Sequence, residues 1–273
     1  MPRMQVVAGG LAAVSVVVVL LAGAGWLMSV GKHQLVKAPI PPPGPSAIPL
    51  PLEVSSTCPL LQPGGPISVS VGDACTSLHV QRPYLDVDCR RLQHLPDLAK
   101  FVSLDATSGN FAEGASLTFT DNGCRLTAPA NREGQVATQQ APPVDQVLIV
   151  DFVTPAEGDF ELGLAARCTS TGCVNVETDA FYLWMSDRTS DAWDTRLRHR
   201  MDGSVQLVPS ATNRLVMWLG DGTETAWLNG QRIGTTPVKP TQPGEASFFV
   251  LATDGSTPVA LYLQRFVVLL LRS

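Results

Sequence analysis

The sequence predicts an all-β protein, a two-sheet antiparallel sandwich, preceded by one N-terminal transmembrane helix and a proline-rich linker. Three observations carry the prediction. From Phe101 onward, short alternating or β-branched runs follow one another, separated by Gly-bearing turns, and none has the period of an amphipathic helix. Two turn dipeptides, Asp221-Gly222 and Asn229-Gly230, lie within residues 213–235, each flanked by alternating apolar residues. Residues 6–30 form an uncharged run whose helix would rise about 37 Å, enough to span a bilayer with some tilt.

The two dipeptides set the register of the region around them. Asn-Gly and Asp-Gly suit the two-residue hairpin turn that needs φ > 0 at both central positions. If both turns form, three antiparallel strands follow. Leu215, Met217, Leu219, Ala226, Leu228 and Ile233 then share one face, a core face. Val216, Trp218, Thr225, Trp227 and Arg232 share the other.

The remaining elements are read in chain order. Residues 1–31 are an anchor, with signal-peptide cleavage near Ala22-Gly23-Ala24 as the rival. Residues 32–51 are a linker; proline fills seven of the thirteen positions 39–51, which favours an extended stalk. Residues 52–100 are predicted to form a small disulfide-held segment packed on the main domain. It holds strands at residues 67–71 and 84–87 and a short helix around Pro96. Residues 101–273 are the sandwich. Strands are predicted at residues 116–120, 124–127, 144–153, 160–167, 181–185, 204–208, 247–252 and 259–271, besides the three above. Residues 196–200 are a basic strand or loop.

Composition narrows the function classes. The net charge is −5 and no basic block appears, so no nucleic-acid partner is expected. Cys58, Cys75, Cys89, Cys124, Cys168 and Cys173 all follow the apolar run, which fits an oxidising compartment. No pair has the C-x₂-C spacing of a zinc site, so disulfides are expected and no metal or cofactor. Pairings of Cys75 with Cys89, Cys168 with Cys173 and Cys58 with Cys124 are the reading, among the 15 connectivities that six Cys allow. The expected location is the cell membrane, single-pass, with the C-terminal domain outside the cytoplasm.

The order of the β signals also carries a resemblance. Residues 160–168 (FELGLAARC), 181–186 (FYLWMS), 213–218 (NRLVMW), 227–230 (WLNG), 248–251 and 261–268 resemble concanavalin A-like lectin/glucanase domains. Within these they are nearest the laminin-G-like jelly rolls of extracytoplasmic parts of bacterial membrane proteins. The resemblance spans about residues 101–273 and implies a two-sheet jelly roll. Functions differ widely on that fold, so the residues must argue function themselves.

Three constellations are candidate sites. Trp218 and Trp227, with Arg232 near them, would suit stacking on a sugar if left open, and a covering segment such as residues 52–100 would make them core. Glu157, Asp159 and Glu161 resemble the E-x-D-x-E signature of glucanases. On one strand their carboxylates would share a face and could supply nucleophile and general acid. Gly158 and the turn-like stretch 155–159 oppose that geometry. Asp187, Asp191 and Asp194, in a loop with Trp193, could hold a cation. The resulting expectation is a non-enzymatic binding or interaction module recognising a glycan, a wall polymer or a protein partner. The alternatives are a glycoside hydrolase using Glu157, Asp159 and Glu161, and a structural subunit of a membrane complex.

Overall fold

The computed structural model describes residues 58–65, 67, 80–91, 115–138, 141–143, 145–155, 158–189, 192–239, 242–254 and 256–271. The apolar run and proline-rich linker lie outside these, as do most of the strand expected at 67–71 and the helix expected around Pro96. Among the described residues no helix is long and apolar enough to cross a membrane.

The described strands are β1 (Val80–Asp88), β2 (Ser116–Thr120), β3 (Gly123–Ala128), β4 (Glu133–Ala137), β5 (Gln146–Val153), β6 (Phe160–Thr169) and β7 (Gly172–Thr178). Then come β8 (Tyr182–Thr189), β9 (Trp193–Arg200), β10 (Thr212–Gly220), β11 (Thr223–Leu228), β12 (Gln231–Pro237), β13 (Glu245–Ala252) and β14 (Val259–Leu271). They form two antiparallel sheets. The larger runs β12-β11-β10-β5-β14-β3-β2, with β1 added beside β14; the smaller runs β4-β13-β6-β7-β8-β9.

The double hairpin forms in the register its turns dictate. Asp221, Gly222, Asn229 and Gly230 all have positive φ, from 51° to 82°. Leu215 pairs with Leu228 and Met217 with Ala226. Their side chains enter the main core between the sheets, with Leu219 and the partly buried Ile233. β6 and β8 meet them from the other sheet through Leu162, Leu164, Leu183 and Met185. Phe152 of β5 and Phe248 of β13 touch across the middle, ring centroids 5.8 Å apart.

A second apolar layer lies on the outer face of the larger sheet. There Val147, Ile149, Val216, Trp218, Trp227 and Val267 pack against Leu60 and Leu61. These leucines belong to a single 3₁₀ turn, Pro59–Leu61, which Pro59 starts at a position where its missing N–H costs nothing. Arg214 fixes this turn to the sheet. Its guanidinium makes two buried 2.6 Å bonds to Asp151 and donates to the carbonyls of Leu60 (3.0 Å, buried) and Gly65 (3.1 Å, partly buried). The planar fork lets one side chain satisfy a carboxylate and two backbone acceptors together.

Several expectations are corrected. Residues 204–208 are not a strand: Asp202 Oδ1 accepts from Ser204 N (2.9 Å), and the Asn213 side chain takes up the Val208 N–H and carbonyl. Those side-chain bonds replace a ladder. Phe181 is 69% exposed and precedes β8, because Asp179 Oδ1 binds the N–H groups of Phe181 and Tyr182 and turns the chain there. Cys89 pairs with Cys124, not Cys75, and so joins the end of β1 to β3. Cys58 is therefore not bonded to Cys124; it is disulfide-bonded to a residue outside those described. Cys168 pairs with Cys173 as expected. Strand β1, from the segment expected to cap the domain, is hydrogen-bonded into the larger sheet along β14.

Candidate active site

The expected sites are distributed as follows. Trp218 and Trp227 are 7% and 2% exposed beneath the 3₁₀ turn, so they form no open platform. Arg232 is exposed and donates to Thr235 Oγ1. Asp187 is committed to Arg196 (3.4 Å), Asp194 is exposed on β9 opposite it, and Asp191 lies outside the described residues. No metal-binding group of His, Cys, Asp or Glu occurs among the described residues. Glu157 also lies outside them. Asp159 is exposed ahead of β6, after Gly158 at φ 85°, and only Glu161 sits on the strand.

Glu161 leads to a different constellation. Residues of the six-stranded sheet alternate, and those that do not enter the core line its outer face. Pairing aligns them in rows. One row runs Glu133, Leu251, Glu161; the next runs Gln135, Phe249, Gly163, Glu177, Trp184, Arg198; a third runs Ala137, Ser247, Ala165, Asn175, Ser186. The face is deeply concave. Arg188 of β8 donates to Glu133 of β4 at 3.1 Å although three strands stand between them.

Glu177 is the centre of this face. It is 1% exposed. Trp184 Nε1 donates to one carboxyl oxygen (3.1 Å) and Ser186 Oγ to the other (3.2 Å). Burial pushes its pKa up to about 8; Glu161 adds to the rise, while Asn175, Trp184 and Ser186 oppose it. The group is therefore a neutral acid near pH 7. Glu161, only partly buried, is raised by burial and by Asp179. Gly163 makes room for the arrangement. A Cβ there would stand 2.9 Å from the Phe249 ring and 3.0 Å from Glu177 Cγ. Beyond Trp184, Arg198 lies 3.8 Å over the Tyr182 ring.

A second buried carboxylate, Glu224, has a different setting. It points between the sheets, bonded to Arg196, which also reaches Thr236, and burial pushes it up to about 8. It does not share the concave face.

The sequence does not single out Glu177. Residues 172–178, GCVNVET, read as a strand with one apolar and one solvated face. The usable signal was the polar pair Asn175 and Glu177 at alternate positions, which surface strands also carry. What makes them a site is the contact with β8, β6 and β13.

No family model and no curated protein matches the sequence. Solved structures match its shape. The laminarinase catalytic domain of Thermotoga maritima aligns with a TM-score of 0.53, at 8% identity over 71% of this chain and 99% of that one. The β-glucanase of Bacillus licheniformis aligns at 0.52, with 11% identity over 70% and 99%. The Crh5 transglycosylase aligns at 0.51, with 10% identity over 71% and 86%. The chain has the concanavalin A-like jelly-roll fold. These structures correct the expectation of a non-enzymatic module, since several that share the architecture are glycoside hydrolases or transglycosylases.

Proposed function

We propose that the sandwich is a glycoside hydrolase acting on β-linked glucans, with its site on the concave face of the six-stranded sheet. The observation that supports it most is Glu177, a carboxylic acid kept neutral near pH 7 beside a second, less buried carboxyl on the next strand. Cleavage of a glycosidic bond needs that pairing. The acid gives its proton to the leaving oxygen as the bond to the anomeric carbon breaks and its electron pair moves to that oxygen. The other carboxylate bonds to that carbon as positive charge develops there, and water, giving a proton to the first residue, then displaces it and leaves the sugar with a new hydroxyl. Glu177 takes the first role and Glu161 the second. They are diagonal neighbours on adjacent strands, positions about 7 Å apart, within the span of roughly 5–9.5 Å found between glycosidase carboxyls. Trp184 and Tyr182, both half-buried, offer ring surface for the sugar. The named activities of the structural neighbours agree with the reading.

The disulfides and the apolar run at residues 6–30 support a location outside the cytoplasm, on an N-terminal membrane anchor. The test is reducing-end release from β-1,3- and mixed-linked β-1,3-1,4-glucan. Glu177→Gln should lose about 10²–10⁴-fold. Full activity in that variant, or an inactive wild type, would contradict the proposal.

A further inference from the structure

The Glu133–Arg188 ion pair has no part in that chemistry, and its position in the sheet is unusual. Glu133 opens β4, the first strand in the sheet order, and shares a row with Leu251 and Glu161. Arg188 lies near the end of β8, the fifth strand, opposite Cys173. The two are diagonal corners. In a flat sheet they would stand on the order of 25–30 Å apart, at about 4.8 Å between strands and 3.3 Å per residue. Their side chains meet at 3.1 Å, so the sheet curls until the corners touch and the pair bridges the groove.

The burial pattern follows this diagonal. Phe249, Asn175 and Ser186, which lie across its path, are 2%, 0% and 0% exposed. On one side of it Glu161, Asp179, Tyr182 and Trp184 stay partly open around the buried Glu177, and Arg198 and Arg200 are exposed. The bridge is also held from outside, because the Arg188 guanidinium lies 4.9 Å over the Trp193 ring. Glu133 is buried, so parting the pair would strand a desolvated carboxylate.

We infer that Glu133 and Arg188 set specificity: their bridge closes the groove on one side and leaves a pocket that admits the end of a glucan chain or a short oligosaccharide, not the interior of a polymer. This rests on the glycan reading above. A chain passing through the groove would have to cross the line between β4 and β8. A chain end entering beside Tyr182 and Trp184 reaches Glu161, with the buried Glu177 beneath it, without crossing it.

Two readouts on the full chain separate this inference from the activity itself. The first is maleimide labelling of Ser247→Cys, placed at a buried position of the same face. Labelling should be slow with the bridge intact and about tenfold faster with Arg188→Met, the change expected when closing is weakened by about 1.4 kcal/mol. The charge-exchanged pair Glu133→Arg with Arg188→Glu should restore slow labelling. Equal rates with and without Arg188 would overturn the bridge as a barrier, whatever the activity. The second is the ratio of turnover on β-1,3-glucan polymer to that on short β-1,3-gluco-oligosaccharides. Arg188→Met should raise it about tenfold; an unchanged ratio in an active protein overturns the specificity role. A wild type inactive on both substrates removes the glycan reading and the specificity role with it, while labelling still decides the barrier.

Discussion

Glu177 stands directly across the β6–β7 ladder from Gly163, and the missing Cβ of Gly163 is the space into which the Glu177 side chain and the Phe249 ring converge. A methyl group there would come 2.4 Å from the Val176 carbonyl oxygen as well. The backbone can give little, because β6 is hydrogen-bonded on both sides. Gly163→Ala should therefore cost about 1–3 kcal/mol by overpacking. Urea unfolding followed by fluorescence checks it, and a loss below about 0.5 kcal/mol would mean the face is looser than described.

The raised pKa of Glu177 sets the sign of a pH effect. The folded-state value is about 8 and the ordinary value is 4.5. Between these the folded protein holds a proton that the unfolded chain has released. Stability from this group is thus full below about pH 4.5 and is lost as pH rises through 8. Glu224 acts in the same direction. Thermal unfolding should show Tm falling between pH 5 and 8 in the wild type, and a shallower fall in Glu177→Gln.

Arg214 should prove the most sensitive position of the outer layer. Arg214→Met leaves Asp151 buried without its partner, and the carbonyls of Leu60 in the 3₁₀ turn and of Gly65 after it lose their donor. The expected cost is about 3–5 kcal/mol. Arg214→Lys should rescue little, since one ammonium cannot reach the carboxylate and both carbonyls in a plane. Chemical denaturation gives the magnitude. A red-shifted tryptophan emission below the unfolding transition would report the 3₁₀ turn lifting from Trp218 and Trp227.

The Cys89–Cys124 bond ties β1 to β3 across 35 residues. Replacing both by Ala should destabilise by about 2–4 kcal/mol. Removing Cys168–Cys173, which closes a separation of only 5 residues, should cost less. Differential scanning calorimetry of the two double variants orders them.

The parts of this structure that were legible in the sequence are those set by neighbours in the chain. Asp221-Gly222 and Asn229-Gly230 turn β10, β11 and β12 locally, so the inward row from Leu215 to Leu228 could be derived without a fold. β6 announces itself by alternation and β14 by an apolar run broken at Gln264 and Arg265. The site was not legible for the opposite reason. Glu177 is defined by Gly163 and Phe249, on strands 14 and 72 positions away. For Trp218 and Trp227 the sequence offered residues 52–100 as a cover but not which of them, because the turn that covers them, Pro59–Leu61, lies more than 150 residues earlier. The pairing of Cys89 failed likewise, while the local Cys168–Cys173 pair held: Cys89 meets Cys124 because β1 and β3 both line β14, which sequence spacing does not encode. The EGDFE stretch was legible in its local geometry, because the turn expected at 155–159 is written in Gly158, which has φ 85°.

The most direct measurement is the set of indole N–H resonances during titration with a short β-1,3-gluco-oligosaccharide, with Trp184 assigned through Trp184→Phe. The Trp184 resonance, bonded to Glu177, should shift with saturation, while those of Trp218 and Trp227 stay fixed beneath the 3₁₀ turn. Shifts confined to Trp218 and Trp227, or no shift at any indole, would contradict the account.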